Sequence, residues 1–167
     1  MIRARRRVRH TARSGDRAKE LPVRITESIL IDRPPSAVWA VVVDLESHPR
    51  WRPALLEFRQ VSEGLLTVGS RIHEVIRWRG RSIALEDEVS AIEPERRLGI
   101  RGGWKAADFE LNLLLEASGS GTAVTFDWTF QPKSLLMHVA APLLKGTLER
   151  VTAEELEGLR TYVTAGP

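Results

Sequence analysis

Ile29-Leu-Ile-Asp-Arg-Pro-Pro-Ser-Ala-Val-Trp-Ala-Val-Val-Val-Asp-Leu-Glu-Ser-His-Pro-Arg-Trp-Arg-Pro53 is the stretch that decides the fold. Ile29 and Ile31 share one strand face, because side chains alternate along a strand. Pro34 and Pro35 stop that strand. Either proline suits the first turn of a helix, where its missing N–H costs nothing. Ala37 to Val43 is apolar almost all round, which predicts a short buried helix. Asp44 is placed to cap a second short helical turn through Glu46 and Ser47. His48-Pro-Arg-Trp-Arg-Pro53 then turns the chain sharply and holds Trp51 at the corner.

Working outward, Val23 to Ile31 reads as the first strand. Ala54 to Ser62 reads as the second, with Leu56, Phe58 and Gln60 on alternating positions. Residues 63–70 form a glycine-containing connection. Arg71 to Val89 reads as a hairpin about Gly80-Arg81, with glycine first in a two-residue turn. That register sets Trp78 opposite Ile83, Ile76 opposite Leu85, and Glu74 opposite Asp87 on the inner face. The outer face sets His73 opposite Glu88 and Val75 opposite Glu86, a charge-rich surface. Arg97 to Trp104 is a short strand, with a bend or end expected at Gly102-Gly103.

Phe109 to Phe130 forms a hairpin about Ser118-Gly-Ser-Gly121. It pairs Leu115 with Val124, Leu113 with Phe126, Leu111 with Trp128 and Phe109 with Phe130. One face is wholly apolar and the other mostly polar, as expected of a half-buried strand pair. Ser134 is placed to cap a helix running to about Val163, with a kink or break expected before Pro142. Leu136, Val139, Leu143, Leu144, Leu148 and Val151 mark its apolar stripe. Glu154, Glu155 and Glu157 read as its acidic outer side.

The opening stretch carries a family resemblance. Ile31-Asp-Arg-Pro-Pro-Ser-Ala-Val-Trp39, Asp44 and Pro49-Arg-Trp-Arg-Pro53 resemble the START-like (SRPBCC) superfamily, in particular its polyketide cyclase/dehydrase branch. Gly69, Ile92-Glu-Pro94, Gly121-Thr122 and the helical C-terminus extend the likeness over about residues 23–163. His48 departs from it, standing where relatives often carry an aromatic residue. The resemblance implies an α+β helix-grip: a curved antiparallel β-sheet wrapped around a long C-terminal helix, with two short helices after strand 1. It also implies a ligand cavity between sheet and helix.

The composition narrows the function classes. The chain has 167 residues, 43% of them hydrophobic and 28% charged, enough for one domain with a sizeable core. No apolar run is long enough to span a bilayer as a helix. Absence of cysteine excludes disulfides, thiol nucleophiles and Cys-ligated metals, and fits a cytoplasmic protein. The net charge of +3 is unevenly spread. Residues 1–20 hold eight Arg or Lys (Arg3, Arg5, Arg6, Arg7, Arg9, Arg13, Arg17, Lys19) against Asp16 and Glu20, a balance of +6, so the remainder carries −3. We read residues 1–20 as a solvated, disordered basic arm without specific nucleic-acid recognition, in preference to RNA or anionic-membrane contact or an organelle transit peptide, and residues 21–167 as the domain.

The chemistry-bearing candidates are few. Two facing carboxylates, Glu74 and Asp87, in a low-dielectric interior raise at least one pKa, and such an acid can serve cyclisation, dehydration or enolisation. The bland alternative is a wet pair, or one neutralised by an arginine such as Arg101. His10, His48, His73 and His138 lack metal-ligand spacing, and no nucleophilic triad or phosphate-cradling loop is visible, so no metal or cofactor is expected.

The expected function is binding of a small hydrophobic molecule (lipid, polyketide or aromatic), as in lipid transport. The pocket would be lined by Trp51, Ile76, Trp78, Leu85, Arg101, Leu111, Leu113, Phe126, Trp128, Phe130, Leu136, Val139 and Leu143. The alternative is a polyketide cyclase/aromatase or dehydrase with Glu74 or Asp87 as acid/base. The chain is expected to act as a monomer or homodimer.

Overall fold

The computed structural model describes residues 22–78 and 80–166, so the basic arm of residues 1–20 lies outside the described residues. Alternation in Val23–Ile31 yields strand β1, with Ile25 and Ile31 buried on one face. The chain then turns through Pro34 into α1 (Pro35–Val43), whose Pro35 sits in the first turn. Val38, Val41 and Val42 of α1 are buried. A 3₁₀ helix follows at Leu45–Arg50. Asp44 does not cap it with its side chain; instead the Asp44 carbonyl accepts hydrogen bonds from the Ser47 amide (3.0 Å) and the Ser47 hydroxyl (2.7 Å).

The remaining strands are β2 (Leu55–Gln60), β3 (Arg71–Trp78), β4 (Arg81–Glu93), β5 (Arg97–Gly103), β6 (Ala107–Ser118) and β7 (Gly121–Pro132). Helix α2 (Leu135–Ala165) closes the fold, with the Ser134 hydroxyl accepting from the Met137 amide at 3.3 Å. It is continuous across Pro142, so of the kink or break expected there the break does not occur. The seven strands form one antiparallel sheet in the order β1-β7-β6-β5-β4-β3-β2. This is the helix-grip architecture: α2 packs against β1 and β7 and the sheet curls around it.

The β6–β7 hairpin has the expected register, Leu115 opposite Val124 through Phe109 opposite Phe130. The β3–β4 hairpin does not. Trp78 faces Arg81, Ile76 faces Ile83, Glu74 faces Leu85 and Ile72 faces Asp87. The turn therefore falls one residue earlier, with Gly80 second rather than first, at a φ of +76° that favours glycine. The slip is two residues on the partner strand. An even slip keeps every side chain on its face, so Glu74 and Asp87 still point inward, now as diagonal neighbours. In β2 a bulge between Leu55 and Glu57 turns Leu55 into the core beside Phe58 and leaves Leu56 exposed, correcting the alternation expected there.

The main core joins Val38, Val42, Trp51, Phe58, Leu113, Phe126, Leu156 and Leu159 across sheet, α1, corner and α2. A smaller apolar cluster of Leu85, Ala107, Phe109 and Phe130 lies at one end of the concave face, packed by Ile76, Trp128 and Leu148. The corner is fixed against α2 at Gly158. A Cβ there would lie 2.1 Å from the Trp51 carbonyl oxygen, which is backbone and moves only with the corner. Glycine-to-alanine in a helix ordinarily gains about 1 kcal/mol. Gly158→Ala is predicted to do the opposite and destabilise the fold by about 1–3 kcal/mol through overpacking. Urea unfolding measures it, and a stabilised variant would contradict the close corner–helix packing.

Candidate functional site

Four buried ionisable side chains meet where the corner, the sheet and α2 come together: Arg52, Glu74, Asp87 and Glu155. Each comes from a different element. Arg52 follows Trp51 in the corner, Glu74 and Asp87 project inward from β3 and β4, and Glu155 projects from α2. Arg52 lies 3.2 Å from Glu155 and 3.7 Å from Glu74, with its guanidinium 5.6 Å from the centre of the Phe58 ring. One guanidinium thus answers three carboxyl groups. Burying a charge is costly unless it is paired, so the third carboxyl gives up its charge.

Asp87 is that third group. Both its oxygens are buried and receive no N–H or hydroxyl donor. Its carboxyl is pushed up to about 9, first by burial and then by the hydrogen bond and charge of Glu74, with Arg52 pulling the other way. A hydrogen bond between two carboxyls requires that one carry a proton, so Asp87 is a neutral acid at pH 7. Burial also raises Glu155, against the pull of Arg52. Gly102 makes the room: a Cβ there would sit 1.8 Å from Asp87 Oδ1 and 2.8 Å from Phe109 Cζ. The acid therefore lies against the edge of Phe109, which meets Trp128 edge-on at 6.1 Å between ring centres. The Trp128 indole N–H is likewise buried with no acceptor.

His48 takes no part in this chemistry. Its ring stacks on Phe58 at 4.8 Å and tilts against Trp51 at 4.6 Å, so it fills the aromatic place with an imidazole. Nε2 lies 2.9 Å from the Val42 carbonyl, a contact made by the tautomer with its proton on Nε2. Burial, helped by Arg52, pushes the ring down to about 3 against that hydrogen bond, so it is neutral. The His138 side chain lies outside the described ones.

The structure places the remaining sequence candidates in three groups. Ile76, Leu85, Trp128 and Phe130 gather at the aromatic end beside Asp87, with Trp78 half-buried on the same strand face. Trp51, Leu111, Leu113 and Phe126 lie in the main packed core. Arg101 is on the convex face, its side chain paired to Glu88 at 2.6 Å, so the arginine that answers Glu74 is Arg52. Leu136, Val139 and Leu143 face solvent, at 80%, 66% and 81% exposure, and do not line the interior.

Arg52 and Glu155 were missed by sequence reasoning. Glu155 had a usable signal: it falls seven residues after Leu148 and four before Leu159, on the buried stripe. Beyond the concave site, an open groove of about 750 Å³ lies where β5 ends, bordered by Arg71, Glu88, Arg101, Gly102 and Trp104 and reaching Asp87 and Phe109. Among the described residues no group of three or more His, Asp or Glu side chains is set to hold a metal ion.

The pH dependence of folding carries a sign. From about pH 4 to 9 the unfolded chain has lost the Asp87 proton while the native chain keeps it, so stability from this group falls as pH rises. From about pH 3 to 6.5 unfolded His48 takes up a proton that the native ring refuses, so stability from this group falls as pH drops. The two slopes oppose each other below pH 6.5, and Asp87 dominates above it. Stability is predicted to fall between about pH 6.5 and 9 by on the order of 3 kcal/mol. Asp87→Asn should flatten that slope in urea titrations, and an unaltered slope would assign it to another group.

A family model described as polyketide cyclase/dehydrase and lipid transport matches residues 22–164. No curated protein matches the sequence. Among solved structures, TTHA0849 from Thermus thermophilus superposes with a TM-score of 0.73 at 18% identity, over 86% of this chain and 98% of that one. The Zhui aromatase/cyclase from Streptomyces sp. R1128 superposes with a TM-score of 0.73 at 12% identity, over 86% of this chain and 94% of that one. Ara h 8.0201 superposes with a TM-score of 0.66 at 17% identity, over 87% of this chain and 99% of that one. At such identities the likeness to the solved structures is one of fold.

Proposed function

The chain belongs to the polyketide cyclase/dehydrase and lipid transport family, and from that premise we propose that it binds a small hydrophobic molecule bearing an oxygen function at the aromatic end of the concave face. The carrying observation is the Trp128 indole N–H, buried in an apolar wall with no acceptor, near an Asp87 carboxyl that no N–H or hydroxyl donor reaches. Leu85, Phe109, Phe130 and Leu148 supply the apolar surface around them. Apolar walls with a few convergent polar groups are the usual make-up of a small-molecule site. The indole N–H donates to a ligand carbonyl, and the Asp87 carboxyl, its proton shared with Glu74, accepts from a ligand hydroxyl. The ligand's rings or chain displace water from the aromatic surface.

A second reading is supported by the neutral state of Asp87. An acid that keeps its proton at pH 7 can protonate a developing alkoxide or enol oxygen. In ring closure of a polyketone, an α-carbon loses its proton to the Glu74 carboxylate. The carbon forms a C–C bond to a carbonyl carbon, and the carbonyl π pair moves to oxygen, which takes the Asp87 proton. The Glu74 proton then restores Asp87, so the sum is one proton moved from carbon to oxygen. Arg52 stands 3.7 Å from Glu74 in this sequence.

Titration with 2-acetylnaphthalene, a neutral aromatic ketone, read by tryptophan fluorescence, tests the binding claim. Saturable quenching is expected, weakened roughly tenfold in Trp128→Phe by loss of one hydrogen bond to a buried carbonyl. Native mass spectrometry of freshly purified protein is expected to show a one-to-one apolar adduct. Absence of both adduct and saturable binding would dismiss the site. For the cyclase reading, Asp87→Asn should retain ketone binding and lose turnover of a polyketone substrate; equal turnover would rule Asp87 out as the acid.

A further inference from the structure

Among the described side chains, Glu155 is the one charged group that α2 buries. Its place on the helix is tightly set. Leu156 and Leu159 beside it belong to the main core. The Thr152 hydroxyl, three residues earlier, donates to the Leu148 carbonyl at 2.9 Å and so needs no partner from the site. Gly158, three residues later and on the same helix face, lies against the Trp51 carbonyl. Trp51 directly precedes Arg52. The close approach that Gly158 permits therefore also sets the distance between Glu155 and Arg52.

Arg52 is shared unequally. Its Nε lies 3.2 Å from Glu155 Oε2, whereas its Nη2 lies 3.7 Å from Glu74 Oε1. Burial pulls the guanidinium down, and the charges of Glu155, Glu74 and Asp87, in that order, hold it up. Burial raises the Glu155 carboxyl, and Arg52 pulls it back. The charged groups facing Asp87 come from three elements: Glu74 of β3, Arg52 of the corner and Glu86 of its own strand. β5 and β6 present Gly102 and Phe109, which carry no charge. Glu155 faces Arg52 and Glu74, and the neutral His48 faces Arg52.

We propose that Glu155 is a positioning residue for the Asp87 acid: its carboxylate draws the Arg52 guanidinium toward α2 and away from the Glu74–Asp87 pair, which thereby keeps its shared proton. The proposal rests on the reading of Asp87 as a neutral acid at the ligand site. Without the Glu155 charge, the whole cation would answer the pair and favour two carboxylates. Glu155 acts through Arg52 and not on the ligand. Leu148, two turns earlier on α2, packs on the aromatic cluster. One helix thus closes the apolar wall and holds the charge partner of the acid beside it.

The test follows the carboxyl-carbon shifts of Asp87 and Glu155 by NMR across a pH titration of the unaltered chain, Glu155→Gln and Glu155→Asp. In Glu155→Gln the Asp87 midpoint is expected to fall by about 1 unit or more, since a nearby cation lowers a carboxyl by roughly 1–3 units. Glu155→Asp restores the charge and should return the midpoint toward its native value. Loosened packing alone would not give that pattern, because the shorter side chain disturbs packing as well. An Asp87 midpoint that Glu155→Gln leaves in place overturns the proposal and spares the neutral-acid reading. An Asp87 midpoint at the ordinary carboxylate value in the unaltered chain overturns both. Should Glu155→Gln fail to fold, the unaltered chain decides: Glu155 is expected to be ionised at pH 7, and a protonated Glu155 there overturns the proposal.

Discussion

The buried guanidinium of Arg52 is the interaction on which the rest depends. It holds Glu155 of α2 at 3.2 Å and Glu74 of β3 at 3.7 Å, and so fastens corner, helix and sheet to one another. Removing one partner of such a cluster leaves an uncompensated buried charge, typically at a cost of about 3–5 kcal/mol. Packing alone does not require ionic groups here, and an apolar substitute of the same shape would often hold as well.

The arithmetic of charge follows from that arginine. Three carboxyl groups around one cation cannot all ionise in a water-poor interior, and Asp87, the member without a donor, carries the proton. Gly102 gives it space against Phe109, and the β3–β4 pairing places it diagonally from Glu74. The result is a neutral acid beside an apolar wall, its proton shared with Glu74.

Much of this was legible in the sequence because the governing signals are local. The β6–β7 register followed from an uninterrupted apolar alternation flanking a glycine turn. The β3–β4 register slipped because Gly80-Arg81 leaves two turn placements open, and the residue that takes the positive φ chooses between them. The inward facing of Glu74 and Asp87 survived because the slip was even. Arg52 and Glu155 were hidden for a different reason. Each is charged, and sequence patterning reads charge as surface; only the tertiary meeting of corner and helix makes both buried. Arg101 was assigned inward for its charge, yet it sits on the opposite face from its neighbours Ile100 and Gly102. Leu136, Val139 and Leu143 were assigned inward because they are apolar, whereas the face turned to the sheet is the one carrying Leu148.

The most direct test of the central claim is the carboxyl-carbon chemical shift of Asp87 followed by NMR across a pH titration. The account predicts a midpoint near 9, with the carboxyl protonated throughout the neutral range. A midpoint near the ordinary carboxylate value of about 4 would contradict it. Asp87 would then be charged at pH 7, and neither the binding reading nor the proton-donor reading could rest on it.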